Sequence, residues 1–228
     1  MIAFWPLVVF CRCTFSINVH LLLKSMIRLV SQVIFVVIIF SDLVLAGEGS
    51  GPARFEKGHY EFGAEVGYGV GHNIPFAKNR THIQFAHIAA NFQLDLTGNI
   101  GRSYSQGNLN WYPEFNASLL HNPDSGTLIG FSPLMFQYKF IKPRRKWAPT
   151  VLGGAGIALT DWDEDNLAAT EISGDFQFLL HAGFGLEYFR PKSGSFSVNY
   201  RLLHVSNAGM ERPNVGLNAS LITLAFTF

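Results

Sequence analysis

Beyond Gly58, apolar and polar side chains alternate with a period of two, segment after segment. Period two is a strand signature, because successive Cβ atoms of an extended chain point to opposite faces. In the first segment Tyr60, Phe62, Ala64, Val66 and Tyr68 share one face, and Glu61, Gly63, Glu65 and Gly67 the other. The second sets Ile88, Phe92, Leu94 and Leu96 against Asn91, Gln93, Asp95 and Thr97. A less regular third sets Trp111, Phe115, Ala117 and Leu119 against Glu114, Asn116 and Ser118. The fourth opposes Leu134, Phe136, Tyr138 and Phe140 to Gln137 and Lys139. A fifth, about 147–160, is rich in glycine and its faces cannot be assigned by parity. The last three place Phe178, Leu180, Phe184 and Leu186, then Phe196, Val198, Tyr200 and Leu202, then Ile222, Leu224, Phe226 and Phe228 on one side. Eight antiparallel strands are predicted, and no run of ~20 apolar residues, the length of a membrane helix, occurs in this region.

A soluble sheet alternates too, with its greasy face turned inward. Here eight strands could hardly enclose so many Phe and Tyr rings. The opposite faces carry complementary charges (Glu61, Glu65, Asp95, Glu114, Lys139, Glu187 and Arg201) that can pair inside a narrow, filled lumen. The pattern predicts an all-β, eight-stranded antiparallel transmembrane β-barrel of the outer-membrane type over 58–228. A closed barrel satisfies the backbone groups that lipid cannot. Tyr60, Trp147, Tyr188 and the terminal Phe228 suit interfacial aromatic girdles. An even strand number leaves both termini periplasmic. Turns at 98–107, 142–146 and 190–194 then face the periplasm, and connections at 71–80, 121–126, 160–171 and 208–215 face outward.

Composition agrees. Charged residues are 14% of the 228, against roughly 25% in an ordinary soluble protein, while Phe and Gly reach 21 and 22 copies. The net charge of +1 gives no global field for nucleic acid. Before the barrel, Arg28, the apolar run 33–39 and Leu43-Val44-Leu45-Ala46 read as a signal peptide cleaved after Ala46, with Met26 the true start of an over-extended frame. A retained inner-membrane anchor is the rival reading. Residues 1–46 are therefore assigned to export and 47–57 to a short linker. Both cysteines, Cys11 and Cys13, leave with the signal, so neither disulfide nor thiolate metal site is expected in the mature chain.

One group of polar residues breaks the lipid-facing pattern. His204 and Ser206 share the face of Tyr200 and Leu202, near the outer end of the seventh strand. Neighbouring positions i and i+2 put an imidazole beside a hydroxyl, the pair that nucleophilic acyl transfer needs. Polar groups on a lipid face are costly without a purpose, although a His-x-Ser pair also arises by chance and can simply meet interfacial water.

The run His204-Val205-Ser206-Asn207-Ala208-Gly209, then Pro213-Asn214, Gly216 and a strand ending in Phe228, resembles the C-terminal signature of the lipid A 3-O-deacylases (PagL-type, related to acyloxyacyl hydrolases). The likeness covers about the last 25 residues. It implies an outer-membrane serine esterase that removes the 3-O-linked acyl chain of lipid A in lipopolysaccharide, without a cofactor. Ser206 would be the nucleophile, His204 the general base, and Asn207 and Gly209 the oxyanion donors. The family carries a Glu on the last strand as third member, and the matching position here is Asn218. An amide oxygen can hold the imidazole but adds no charge. Glu211 in the adjacent loop is the substitute acid to consider. A non-enzymatic or inactive small barrel serving membrane integrity or adhesion is the alternative function, and a homodimer is the oligomer left open.

Other features read as structural. The acidic run 161–165 fits a solvated loop better than a Ca²⁺ or Mg²⁺ site, and 142–146 a basic turn better than a phosphate site. His59, His72, His82, His87, His121 and His181 lack metal-ligand spacing. His181 is expected inside the barrel, bonded to a carboxylate. Gly153-Gly154-Ala155-Gly156 is expected to let a strand bend or pack closely.

Overall fold

The computed structural model describes residues 54–72, 83–122, 125–162, 171–190 and 194–228. The stretch read as a signal peptide lies outside them, as do His82 and the acidic residues after Trp162. Nine strands follow in order: β1 (Tyr60–Gly71), β2 (Gln84–Asp95), β3 (Asn108–Trp111), β4 (Glu114–Asn122), β5 (Gly126–Lys139), β6 (Trp147–Thr160), β7 (Phe176–Phe189), β8 (Ser195–Ser206) and β9 (Leu217–Thr227). Each pairs antiparallel with its neighbours, and β1 pairs with β9 from Gly63 opposite Thr227 to Gly71 opposite Ala219. The sheet thus closes on itself and leaves no edge.

β3 and β4 are one crossing interrupted at Tyr112-Pro113, so the barrel has the eight crossings expected. Both pieces pair with β2 on one side and β5 on the other. Pro113 has no N–H for the ladder, while the Tyr112 N–H still reaches the Met135 carbonyl at 2.8 Å.

The alternation is inverted as predicted. Phe115, Leu134, Phe184, Phe196, Ile222 and Leu224 are all more than half exposed on the outside, whereas Glu65, Asn91, Glu114, Gln137 and Arg201 are buried. β5 departs from the single parity read from its second half. Above the middle, Leu128, Gly130 and Ser132 point inward, and below it Met135, Gln137 and Lys139 do. A register shift between Phe131 and Leu134 produces the switch. The glycines of β6 face this irregularity. A Cβ on Gly154 would lie 2.3 Å from the Leu134 carbonyl, and one on Gly156 would lie 2.3 Å from Ser132 Oγ. Close packing therefore explains Gly154 and Gly156 of the glycine-rich segment.

The lumen is filled in layers. At the periplasmic end Lys139 bridges to Glu187 at 3.1 Å, and Arg54 to Glu61 at 3.1 Å. In the middle Arg201, wholly buried, binds Glu114 at 2.6 Å and Glu65 at 2.8 Å. His181 is inside as expected, but its Nε2 meets Ser132 Oγ at 3.0 Å rather than a carboxylate. Arg201 already holds both mid-lumen carboxylates, which corrects that expectation. The outer third is an apolar plug that includes Phe85, Trp162, Ile172, Leu179, Leu203 and Leu221. A lumen so occupied conducts no ions, and planar-bilayer recordings of the purified protein should show no channel steps.

Removing one member of a buried ionic cluster leaves the rest uncompensated, at a typical cost of about 3–5 kcal/mol. Arg201→Met should lower the unfolding midpoint of the detergent-solubilised barrel accordingly. Adding Glu65→Gln and Glu114→Gln should restore most of the loss, because the charges then leave together. Unfolding followed by tryptophan fluorescence or gel mobility reads both.

Candidate functional site: an imidazole and a hydroxyl facing lipid

Strand β8 ends at Ser206, so its last outward positions fall where the wall meets the outer interface. Leu202, His204 and Ser206 lie in one row, with the buried Leu203 and Val205 between them in the apolar plug. This alternation fixes His204 and Ser206 outward, because a one-residue slip would bury both and expose two plug residues. Register places Asn218 of β9 directly opposite His204.

The three side chains form a chain of hydrogen bonds. His204 Nε2 and Ser206 Oγ are 3.0 Å apart, and His204 Nδ1 and Asn218 Oδ1 are 2.8 Å apart. Asn218 Oδ1 can only accept, so Nδ1 carries the ring proton and Nε2 is left to accept from the serine hydroxyl. This is the tautomer a general base needs. All three residues are half-buried. Gly216 makes room for the ring. It has φ +83°, and a Cβ there would sit 2.5 Å from His204 Cε1.

The connection after β8 is tightly bonded, and Asn207 is its hub. The Asn207 amide donates to the Ser173 carbonyl at 2.8 Å and the Glu211 carbonyl at 3.1 Å. Its Oδ1 accepts the Gly209 N–H at 2.9 Å, and its own N–H reaches Asn214 Oδ1 at 3.2 Å. Ser173 Oγ donates to the Pro213 carbonyl, and the Gly216 N–H to that of Glu171. The Asn207 amide and the Gly209 N–H are therefore engaged within the loop in this state. Glu211 is not brought to the imidazole. Its carboxylate lies over Gly174, where an added Cβ would be 2.7 Å from Oε2, and His204 Nδ1 is taken by Asn218. Asn214 belongs to the motif read from the sequence, but Ser173 and the bonds that both make to this loop had no signal there, because they depend on segments meeting in space.

The other features flagged from sequence stand apart. Asp161 accepts the Thr127 N–H at 2.5 Å and Trp162 is buried. In the basic turn, Lys142 Nζ sits 5.0 Å from the Tyr104 ring centroid. Among the described residues no group of three or more His, Cys, Asp or Glu side chains converges as metal ligands do.

Fold and site together define a bacterial outer-membrane β-barrel that presents a hydrogen-bonded histidine and serine on its lipid-facing wall. The family described as Lipid A 3-O-deacylase (PagL) matches residues 66–227. The chain belongs to that family, as its C-terminal motif had suggested. Among solved structures it resembles the crystal structure of the outer membrane enzyme PagL, with a TM-score of 0.51 and 19% identity over 71% of this chain and 97% of that one. It also matches the N-terminal β-barrel domain of Pseudomonas aeruginosa OprF, with a TM-score of 0.39 and 14% identity over 75% of this chain and all of the other. No curated protein sequence matches at a significant level.

Proposed function

We propose that this chain is a serine esterase that hydrolyses the 3-O-linked acyl ester of lipid A, with Ser206 as nucleophile and His204 as base. The observation that carries the reading is the outward His204–Ser206 pair at 3.0 Å with its Nδ1 anchored on Asn218. Its setting adds support. An amphiphilic ester diffusing in the outer leaflet meets this wall sideways, with no channel to thread.

In the acylation step Ser206 Oγ attacks the ester carbonyl while its proton passes to His204 Nε2. The tetrahedral intermediate collapses, and the imidazolium returns that proton to the departing sugar oxygen. Water then attacks the acyl-serine, giving up a proton to His204 and releasing a 3-hydroxy fatty acid with Ser206 restored. Asn218 keeps the ring oriented but cannot offset the imidazolium charge. For Asn207 and Gly209 to serve the oxyanion, each exchanges its bond within the loop for the developing negative charge, the stronger acceptor. The homodimer left open from the sequence gains no support from the fold or the comparisons.

Purified protein in detergent micelles should release free 3-hydroxy fatty acid from lipid A. A preparation that is folded by gel mobility yet releases none over long incubation removes the esterase reading and favours the non-enzymatic barrel. Gly216→Ala, strained at φ +83° and crowding the ring, should lower stability somewhat while the barrel still forms, and should displace His204; misplacement of a reacting group by about 1 Å can cost roughly 10²-fold in rate. Initial rates of fatty-acid release measure this.

A further inference from the structure

The outer wall is not uniform around the serine. On one side, β7 sets Phe178 opposite Ser206 and Leu180 opposite His204. Beyond it β6 sets Ile157 opposite Phe178 and Leu159 opposite Phe176. These side chains are exposed and wholly apolar, and the rings of Phe176 and Phe178 meet edge to face at 5.3 Å.

On the other side the wall turns polar. Ser220 follows Asn218 by two positions on the outward face of β9. Its Oγ lies 2.8 Å from Tyr200 Oη and 3.3 Å from His72 Nδ1, just beyond the end of β1. Further round, Tyr68 Oη donates to Gln84 Oε1 at 2.8 Å and lies 3.2 Å from His121 Nε2. The two clusters flank Val70 of β1, an exposed apolar residue that pairs with both Ser220 and Gln84. An ordinary interfacial girdle would run all round the barrel. This polar shelf covers the β8–β9–β1–β2–β4 side of the site, whereas the β6–β7 side at the level of the serine is hydrocarbon. These hydroxyl, imidazole and amide groups bond to one another and keep further donors and acceptors on an exposed face, where a polar ligand can meet them.

We infer that the shelf formed by Tyr200, Ser220, His72, Tyr68, Gln84 and His121 binds the hydroxylated, phosphorylated sugar headgroup of the ester substrate, while its acyl chain lies along Phe178 and Leu180. This assignment rests on the esterase reading and adds the direction in which the substrate lies. The ester straddles the boundary between the two surfaces, with its carbonyl at Ser206. Imidazole and hydroxyl groups donate to phosphate and sugar oxygens. Among the described residues the apolar wall at this level offers no such partner, so the reversed orientation would strand the headgroup in hydrocarbon.

The test compares two substrates in the same mixed micelles: lipid A and a methyl ester bearing a 3-hydroxy acyl chain but no sugar. The double variant His72→Ala/Ser220→Ala leaves the reacting groups in place. It should raise KM for lipid A at least tenfold and leave kcat/KM for the methyl ester unchanged. Phe178→Ala should impair both substrates. Tyr68→Phe, which removes one oxygen and little else, should weaken lipid A alone by a few-fold. Unchanged lipid A kinetics in the double variant, or an equal loss on both substrates, overturns the assignment. Lipid A retention by Ser206→Ala protein, followed by native mass spectrometry, separates this idea from the chemistry. If the wild type hydrolyses neither substrate, retention that falls tenfold with His72→Ala/Ser220→Ala still supports the shelf. Retention indifferent to those changes ends it.

Discussion

Ser206→Ala should abolish acyl release while the barrel folds, inserts and migrates as the wild type does. Ser206 is the last residue of β8, and its half-exposed side chain contributes little to the core. The change removes the attacking oxygen and leaves the His204–Asn218 bond intact. In serine hydrolases the loss of nucleophile or base costs on the order of 10⁶-fold in turnover, and losing both costs about as much as losing one. In the proposed mechanism the neutral Asn218 lowers the starting rate, so a fall of at least about 10⁴-fold is expected here. His204→Gln should fall as far, and the double variant no further. Fatty-acid release by the purified proteins gives all three rates. If Ser206→Ala keeps a tenth of the activity, another nucleophile is at work.

The second large effect concerns the third member of the row. Asn218 Oδ1 sits 2.8 Å from His204 Nδ1 and fixes the useful tautomer, but an amide is neutral. In the proposed mechanism, once His204 takes the serine proton its imidazolium has to be tolerated at a half-buried site near lipid without a countercharge. Replacing an acid by its amide in such a row costs ~10⁴-fold elsewhere, mostly through a wrong tautomer. Here the oxygen of Asn218 already faces the ring, so part of that loss is avoided. Asn218→Glu supplies the charge and should accelerate acyl release by roughly 10²-fold. Asn218→Leu removes the acceptor and should lower the rate further still. A Glu variant no faster than wild type would mean that Asn218 is not coupled to the base.

Most of the barrel could be read from parity. Strands β7, β8 and β9 present the faces expected of them, because an apolar row such as Phe196, Val198, Tyr200 and Leu202 has one stable orientation when lipid lies outside and charge within. Parity fails where the backbone is irregular. The shift between Phe131 and Leu134 moves the inward set from even to odd positions, and so hid the first half of β5. Pro113 splits the third crossing, which accounts for its uneven pattern. His204 and Ser206 were legible because polar residues on a lipid face violate the rule around them. Asn218 came from the family likeness, and its distance to His204 follows from the β8–β9 register. The shelf was not legible. Ser220 and His72 are 148 positions apart and meet only because β1 closes against β9.

Ester hydrolysis of lipid A by the outward His204–Ser206 pair can be read from cells: mass spectrometry of lipid A from cultures expressing the wild type, beside cultures expressing Ser206→Ala at equal outer-membrane levels. A lipid A species lighter by one 3-hydroxy acyl chain is expected with the wild type, and unaltered lipid A with the variant. Identical lipid A from both cultures, whether trimmed or intact, would contradict it.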